Sequence, residues 1–182
     1  MIFGLTGRNC SGKGTVAEYF QARGFGYYSL SDVIRQVLVE QGKPESRDNL
    51  IAAGNTLRRD GGPGVLGVRI LALLESGNDY VVDSIRNPAE VVALRAREDF
   101  VLLEVRAPER LRYDRLVDRG RVGDATSFDE FQRQERAELQ SADSAAQQLD
   151  ATAACADHVV INAESLDDLH AQLRELVVRL SG

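Results

Sequence analysis

Short apolar runs alternate with amphipathic stretches along the whole chain. Ile2–Thr6 is a compact apolar run that predicts a buried strand, and a helical pattern follows over about 13–23. A second short strand is predicted at 27–30. Ser31 is placed to cap a helix reaching about Gln41, where Gly42 and Pro44 stop it. Helical patterns at 46–59 and 63–76 flank Asp60-Gly61-Gly62. Tyr80–Asp83 predicts a third strand, and Pro88 opens a helix to about Glu98. A fourth strand at 100–105 precedes a helix from Pro108 to near Gly120. Residues 121–127 are polar and Gly-containing and predict a loop. Helical patterns at 128–139 and about 145–155 lead to a last strand at His158–Ile161 and an amphipathic closing helix at 166–180.

Strands that alternate with helices imply βαβ crossovers, which join parallel strands and cover both faces of the sheet. The expected fold class is therefore α/β, a five-stranded parallel sheet with helices on either side. The length of 182 residues predicts a single domain. Ligands of such sheets bind beyond the carboxyl ends of the strands, so the segments just after each strand are where chemistry is expected.

The first of these segments is the most telling. Gly7-Arg8-Asn9-Cys10-Ser11-Gly12-Lys13-Gly14-Thr15 has the spacing of a phosphate loop: glycine, four residues, then Gly-Lys. Gly14 takes the usual hydroxyl place, and the hydroxyl comes one residue later at Thr15. Glycines let successive backbone N–H groups converge on an anion, and the following helix turns its positive end to the same point. Lys13 adds a point charge for the β- and γ-phosphates. The chain contains 22 Lys and Arg, of which only Lys13 and Lys43 are lysine, so a lysine at this spacing stands out. Cys10 inside the loop reads as a small filler, with the helix N-terminus able to lower its thiol pKa.

Composition narrows the rest. Asp and Glu number 28 against 22 Lys and Arg, a net charge of −6, and no basic block is present. Bulk nucleic acid and anionic membranes are poor partners for such a surface. No stretch is long and apolar enough for a membrane span, and the first residues lack a secretory pattern. Cys10 and Cys155 cannot form a disulfide framework, so a cytoplasmic setting is expected. A monomer is the expected state.

Ser11-Gly12-Lys13-Gly14-Thr15 resembles the phosphate loop of adenylate-kinase-type nucleoside monophosphate kinases. Leu30-Ser31-Asp32-Val33-Ile34-Arg35 is similar to the segment that opens their monophosphate-binding helix, which gives Arg35, with Asp32 beside it, a role at the acceptor phosphate. Asp83-Ser84-Ile85-Arg86 resembles the family's Asp-Gly-x-x-Arg segment, with the arginine one residue sooner. The likeness puts Asp83 and Thr15 near magnesium and Arg86 on the acceptor. Arg119-Gly-Arg121 through Arg133 and Arg136 is similar to the arginine-bearing lid and the helix after it, which gives Arg136 a role in substrate binding. Asn162, after the last strand, matches the place where backbone meets adenine. The resemblance implies a P-loop kinase domain over residues 1–182 with a helical acceptor insertion at about 31–77 and a short lid at about 119–140. ATP and Mg²⁺ would be the cofactors, bound at Gly7, Asn9, Cys10, Ser11, Gly12, Lys13, Gly14, Thr15, Arg119 and Asn162. The chain also looks like a group of small adenylate-kinase-related proteins with an Asp-Gly-Ile-Arg-Ser segment.

The expected activity is phosphorylation of a nucleoside or deoxynucleoside monophosphate. Phosphoryl transfer needs positioning, charge neutralisation and dryness more than covalent help. Lys13, Asp83, Arg86, Arg119 and Arg121 would supply the catalysis. Two other readings remain: dephospho-CoA kinase, which shares this architecture, and a nucleotide-gated regulatory module with slow ATPase activity. The absence of His-x-Glu with a later Pro-Cys-x-x-Cys excludes a deaminase zinc site.

Overall fold

Five strands run parallel in the order β2-β3-β1-β4-β5. They are β1 (Ile2–Thr6), β2 (Gly26–Ser29), β3 (Tyr80–Asp83), β4 (Phe100–Arg106) and β5 (His158–Ile161). The computed structural model describes residues 1–120, 124–139 and 146–181. β1 is central: Ile2 pairs with Tyr80 on one side and with Phe100 on the other. Its carboxyl end, where the phosphate loop begins, therefore lies between those of β3 and β4.

The helices are α1 (Lys13–Gln21), α2 (Leu30–Glu40), α3 (Arg47–Gly61), α4 (Val65–Leu71), α5 (Pro88–Leu94), α6 (Glu109–Arg119), α7 (Phe128–Leu139), α8 (Leu149–Ala153) and α9 (Leu166–Ser181). Period-two alternation divides the strand side chains between two apolar layers. Ile2, Val82 and Leu102 pack with Leu30, Leu66 and Val91 from α2, α4 and α5. Phe3, Leu5, Val81 and Leu103 pack with Phe20 of α1 and Leu173 of α9. Phe3 stacks on Phe20 with ring centroids 4.3 Å apart, a contact worth about 0.5–1.5 kcal/mol beyond its buried area. Among the described residues, no helix is long and apolar enough to cross a membrane.

Several boundaries differ from the sequence expectation. The cap of α2 is Ser29, not Ser31: the Ser29 hydroxyl accepts from the Ser31 N–H at 3.2 Å. β2 accordingly ends one residue early. The helix expected over 63–76 stops at Leu71, because i→i−3 bonds from Leu73 and Leu74 tighten the chain and the Tyr80 hydroxyl takes the Glu75 N–H. The helix expected to reach Glu98 stops at Leu94 by the same tightening, with Ala96 and Arg97 bonding back to Ala93 and Leu94. The pattern at 145–155 yields only the five residues of α8; position 145 lies outside the described residues.

Candidate active site

The turn between β1 and α1 is held open by its neighbours. The Thr6 hydroxyl donates to the Ile85 carbonyl at 2.9 Å, and the Ile85 N–H donates to the Leu5 carbonyl at 3.1 Å, which ties the turns after β1 and β3 together. Gly12 caps α1 with φ 97°, a left-handed conformation that favours glycine. Cys10 is also left-handed, at φ 57°. The loop carbonyls are taken up from outside. Arg112 donates to Asn9 O at 3.3 Å, and Asn162 Nδ2 donates to Ser11 O at 3.0 Å.

Lys13 lies under this loop, with Nζ 2.9 Å from Gly7 O and 3.1 Å from Arg8 O. Burial pushes its ammonium down to about 8; the Asp83 carboxylate opposes that fall and the Arg86 guanidinium adds to it. Asp83, at the end of β3, is thus an electrostatic neighbour of the loop lysine. It accepts the N–H of Ser84, itself left-handed at φ 66°. Gly14 is exposed, and Thr15 is half-buried on the first turn of α1. Ser11 is fully buried, with a hydroxyl that finds no partner among the described residues.

A cavity of about 540 Å³ opens from the loop toward α2 and α3. Gly7, Asn9 and Lys13 line it at one end; Arg35, Arg58 and Arg86 line it from three other elements. Arg35 is held between Asp32, with which it pairs on one face of α2, and Glu45 at 2.9 Å. Asp32 is itself exposed and lies outside the cavity wall. Arg119 reaches the same cavity from the end of α6, pairing with Asp124 at 2.8 Å and donating to Asn9 Oδ1 at 3.4 Å. Arg121 lies outside the described residues. Arg136 is exposed on α7, where its Nε donates to the Gln132 carbonyl at 3.3 Å; it does not line the cavity.

The backbone N–H of Asn162 donates to Arg106 O at 2.7 Å, extending the β4–β5 ladder, and its carbonyl accepts from Arg115 at 3.2 Å. The Cys10 thiol is not lowered by the helix end. Burial pushes it up, with Arg119 pulling it back and Asp124 pushing with the burial.

A family model described as AAA domain (AAA_18) matches residues 4–135. The UPF0200 protein of Pyrococcus abyssi is 30% identical over 186 residues, covering 98% of this chain and 96% of its own. That of Pyrococcus furiosus is 30% identical over 184 residues, covering 97% and 96%. The chain belongs to the UPF0200 family. Its fold is that of the P-loop kinases. TT1252 from Thermus thermophilus superposes with TM-score 0.63 at 22% identity, covering 100% of this chain and 98% of that one. Shikimate kinase from Bacteroides thetaiotaomicron gives 0.63 at 13%, covering 97% and 98%. A gluconokinase from Sinorhizobium meliloti gives 0.54 at 16%, covering 98% and 94%.

In this UPF0200 chain, three arginines that the sequence left unmarked belong to the site's framework. Arg58 is only 2% exposed and pairs with Glu90 at 2.8 Å. Arg112 pairs with the buried Glu135, fastening α6 to α7. Arg115 joins Ser11 O to Asn162. Each sits in a helix rich in arginine, where a solvated face is the ordinary reading. Only Glu90 carried a local signal, as the third residue after Asn87 in a capping box.

Proposed function

We propose that this chain is an ATP-dependent phosphotransferase whose acceptor carries a phosphoryl group, in the class of nucleoside and deoxynucleoside monophosphates. One observation carries the reading: Lys13 and four arginines, Arg35 of α2, Arg47 and Arg58 of α3 and Arg86 in the turn after β3, line a single cavity that Arg119 of α6 also reaches. A lysine under a glycine loop suits the donor's terminal phosphates. Forked guanidinium groups suit the oxygens of an acceptor phosphate, which they bind in parallel pairs.

Magnesium fits as a companion of the triphosphate. Among the described residues, no three acidic, histidine or cysteine side chains gather to form a cage. Mg²⁺ typically keeps several waters and takes one or two protein oxygens besides the phosphates. Asp83, at the end of β3, and Thr15, on the first turn of α1, would supply those protein oxygens, whereas Gly14 has no side-chain oxygen to offer. The ion would neutralise charge on the transferring group, while Arg119 would act from the lid side.

The test is a panel. The protein is mixed with Mg-ATP and, one at a time, each common ribo- and deoxyribonucleoside monophosphate, dephospho-CoA, shikimate and gluconate, and ADP release is followed. Stimulation by a monophosphate is expected. Stimulation only by dephospho-CoA, shikimate or gluconate would replace the acceptor assignment. Slow release indifferent to every acceptor would favour a nucleotide-gated module.

A further inference from the structure

Arg58 of α3, on the cavity wall, is buried against Glu90 of α5. Arg58 is 2% exposed and Glu90 0%. Oε1 of Glu90 takes both Arg58 Nε, at 2.9 Å, and Arg58 Nη2, at 2.8 Å. Oε2 takes the backbone N–H of Arg86 at 2.8 Å and of Asn87 at 3.0 Å. One carboxylate thus fixes the guanidinium of one cavity arginine and the main chain of another. A buried ion pair seldom stabilises a fold more than well-packed apolar residues of similar volume would, so this one calls for a different reason. Local backbone geometry supplies room for it: a Cβ on Gly54 would lie 3.3 Å from Arg58 Nη1 and 3.0 Å from Ile34 Cδ1.

We propose that Arg58 contacts the acceptor's phosphoryl group and that Glu90 is its positioning residue, setting the spacing between Arg58 and Arg86. The inference rests on the reading above that the acceptor is a phosphomonoester. α3 belongs to the helical stretch between β2 and β3, whereas Arg86 follows β3 directly. The pair bolts these two parts together, so two forks meet the phosphate at a fixed separation. Such preorganisation raises affinity by removing the ordering that binding would otherwise require.

The test uses wild type, Arg58→Met, Arg58→Lys, Glu90→Gln and the double variant Arg58→Met/Glu90→Gln. AMP, GMP, CMP, UMP and dTMP are titrated singly into magnesium-containing protein saturated with ADP, and ADP affinity is measured separately. For the monophosphate that wild type binds, Arg58→Met should weaken binding by about tenfold or more, with ADP affinity unchanged within about twofold. Arg58→Lys keeps the charge but loses the fork and should recover only part. Glu90→Gln keeps an oxygen for the two backbone N–H groups and should weaken the monophosphate less than Arg58→Met does. The double variant should bind no worse than Arg58→Met, because Glu90 acts through Arg58. It also stands in if Arg58→Met alone fails to fold, since it leaves no unpaired buried carboxylate. Equal monophosphate affinity in wild type and Arg58→Met overturns the inference and leaves the kinase reading standing. If wild type binds none of the monophosphates, both fall.

Discussion

The ammonium of Lys13 is turned back onto the carbonyl of Gly7, 2.9 Å away. A lysine held this way has exchanged water for two loop carbonyls and lies close to Arg86, and burial pushes its pKa down to about 8 from 10.5. Between those values the folded chain holds fewer protons than the unfolded one. Lys13 therefore disfavours folding at neutral pH, and that burden fades as the pH rises through 8 and on toward 10.5. Bound polyphosphate reverses the preference, because it favours the charged form. ADP binding should take up a proton near pH 8 to 9, and affinity should fall as the pH is raised, approaching about tenfold per unit at most. Calorimetry in two buffers of different ionisation heat measures the uptake directly. A pH-independent affinity with no proton uptake would mean that Lys13 does not meet the phosphates.

Cys10 makes a contrasting prediction. Its thiol is pushed up by burial despite the cations of Arg119 and Lys13 nearby. Only the thiolate is alkylated. Iodoacetamide should therefore modify Cys10 more slowly at pH 7 than a free cysteine, and faster as the pH passes the ordinary thiol range. ADP should slow it further, because a nucleotide seated on the loop would cover Cys10. Peptide mass spectrometry separates Cys10 from Cys155. Rapid labelling of Cys10 at neutral pH would show that the loop cations outweigh the burial.

The sheet was legible because each strand is a short apolar run bounded by turn residues, and the phosphate loop because its glycines and lysine have a spacing that chance rarely produces. Helix ends were less legible. Ser29 and Ser31 flank Leu30, and either can cap; the choice went to Ser29 because β2 releases its chain one residue early. α4 stops short because Tyr80, far along the chain, takes the Glu75 N–H. The arginine framework was hidden for a related reason. Arg58 and Arg59 are adjacent on one helix, and only packing against α5 buries the first and leaves the second exposed. A charge that finds its partner 32 residues away leaves no local pattern.

Ser84 stands where the kinase segment Asp-Gly-x-x-Arg has glycine, and the backbone shows why glycine suits the place. Its φ of 66° is left-handed. That conformation costs an L-residue about 1–2 kcal/mol, whereas a glycine loses roughly 0.5–1 kcal/mol through its freer unfolded chain. Ser84→Gly should therefore stabilise the fold by up to about 1 kcal/mol, read as a higher urea midpoint at constant slope. A lower midpoint would show that the Ser84 side chain makes a contact worth more than the backbone strain.

Gly12 and Asn162 should prove to be coupled. A Cβ built on Gly12 would stand 1.8 Å from Asn162 Nδ2. That amide donates to Ser11 O at 3.0 Å, and its oxygen accepts from Arg115 at 3.2 Å. Gly12→Ala would therefore expel the Asn162 side chain and leave the Ser11 carbonyl only the longer bond from Arg115 at 3.4 Å, in addition to straining a backbone at φ 97°. Asn162→Ala alone removes the same hydrogen bonds and should cost about 1–3 kcal/mol. In the double variant the collision is gone, so only the backbone strain should add to the loss of the amide. The combined destabilisation should fall short of the sum of the two single losses by about 1 kcal/mol or more. ADP affinity should follow the same pattern, because the carbonyl that Asn162 holds belongs to the phosphate loop. Simple additivity in a denaturant series would mean that Asn162 moves aside freely and does not shape the loop.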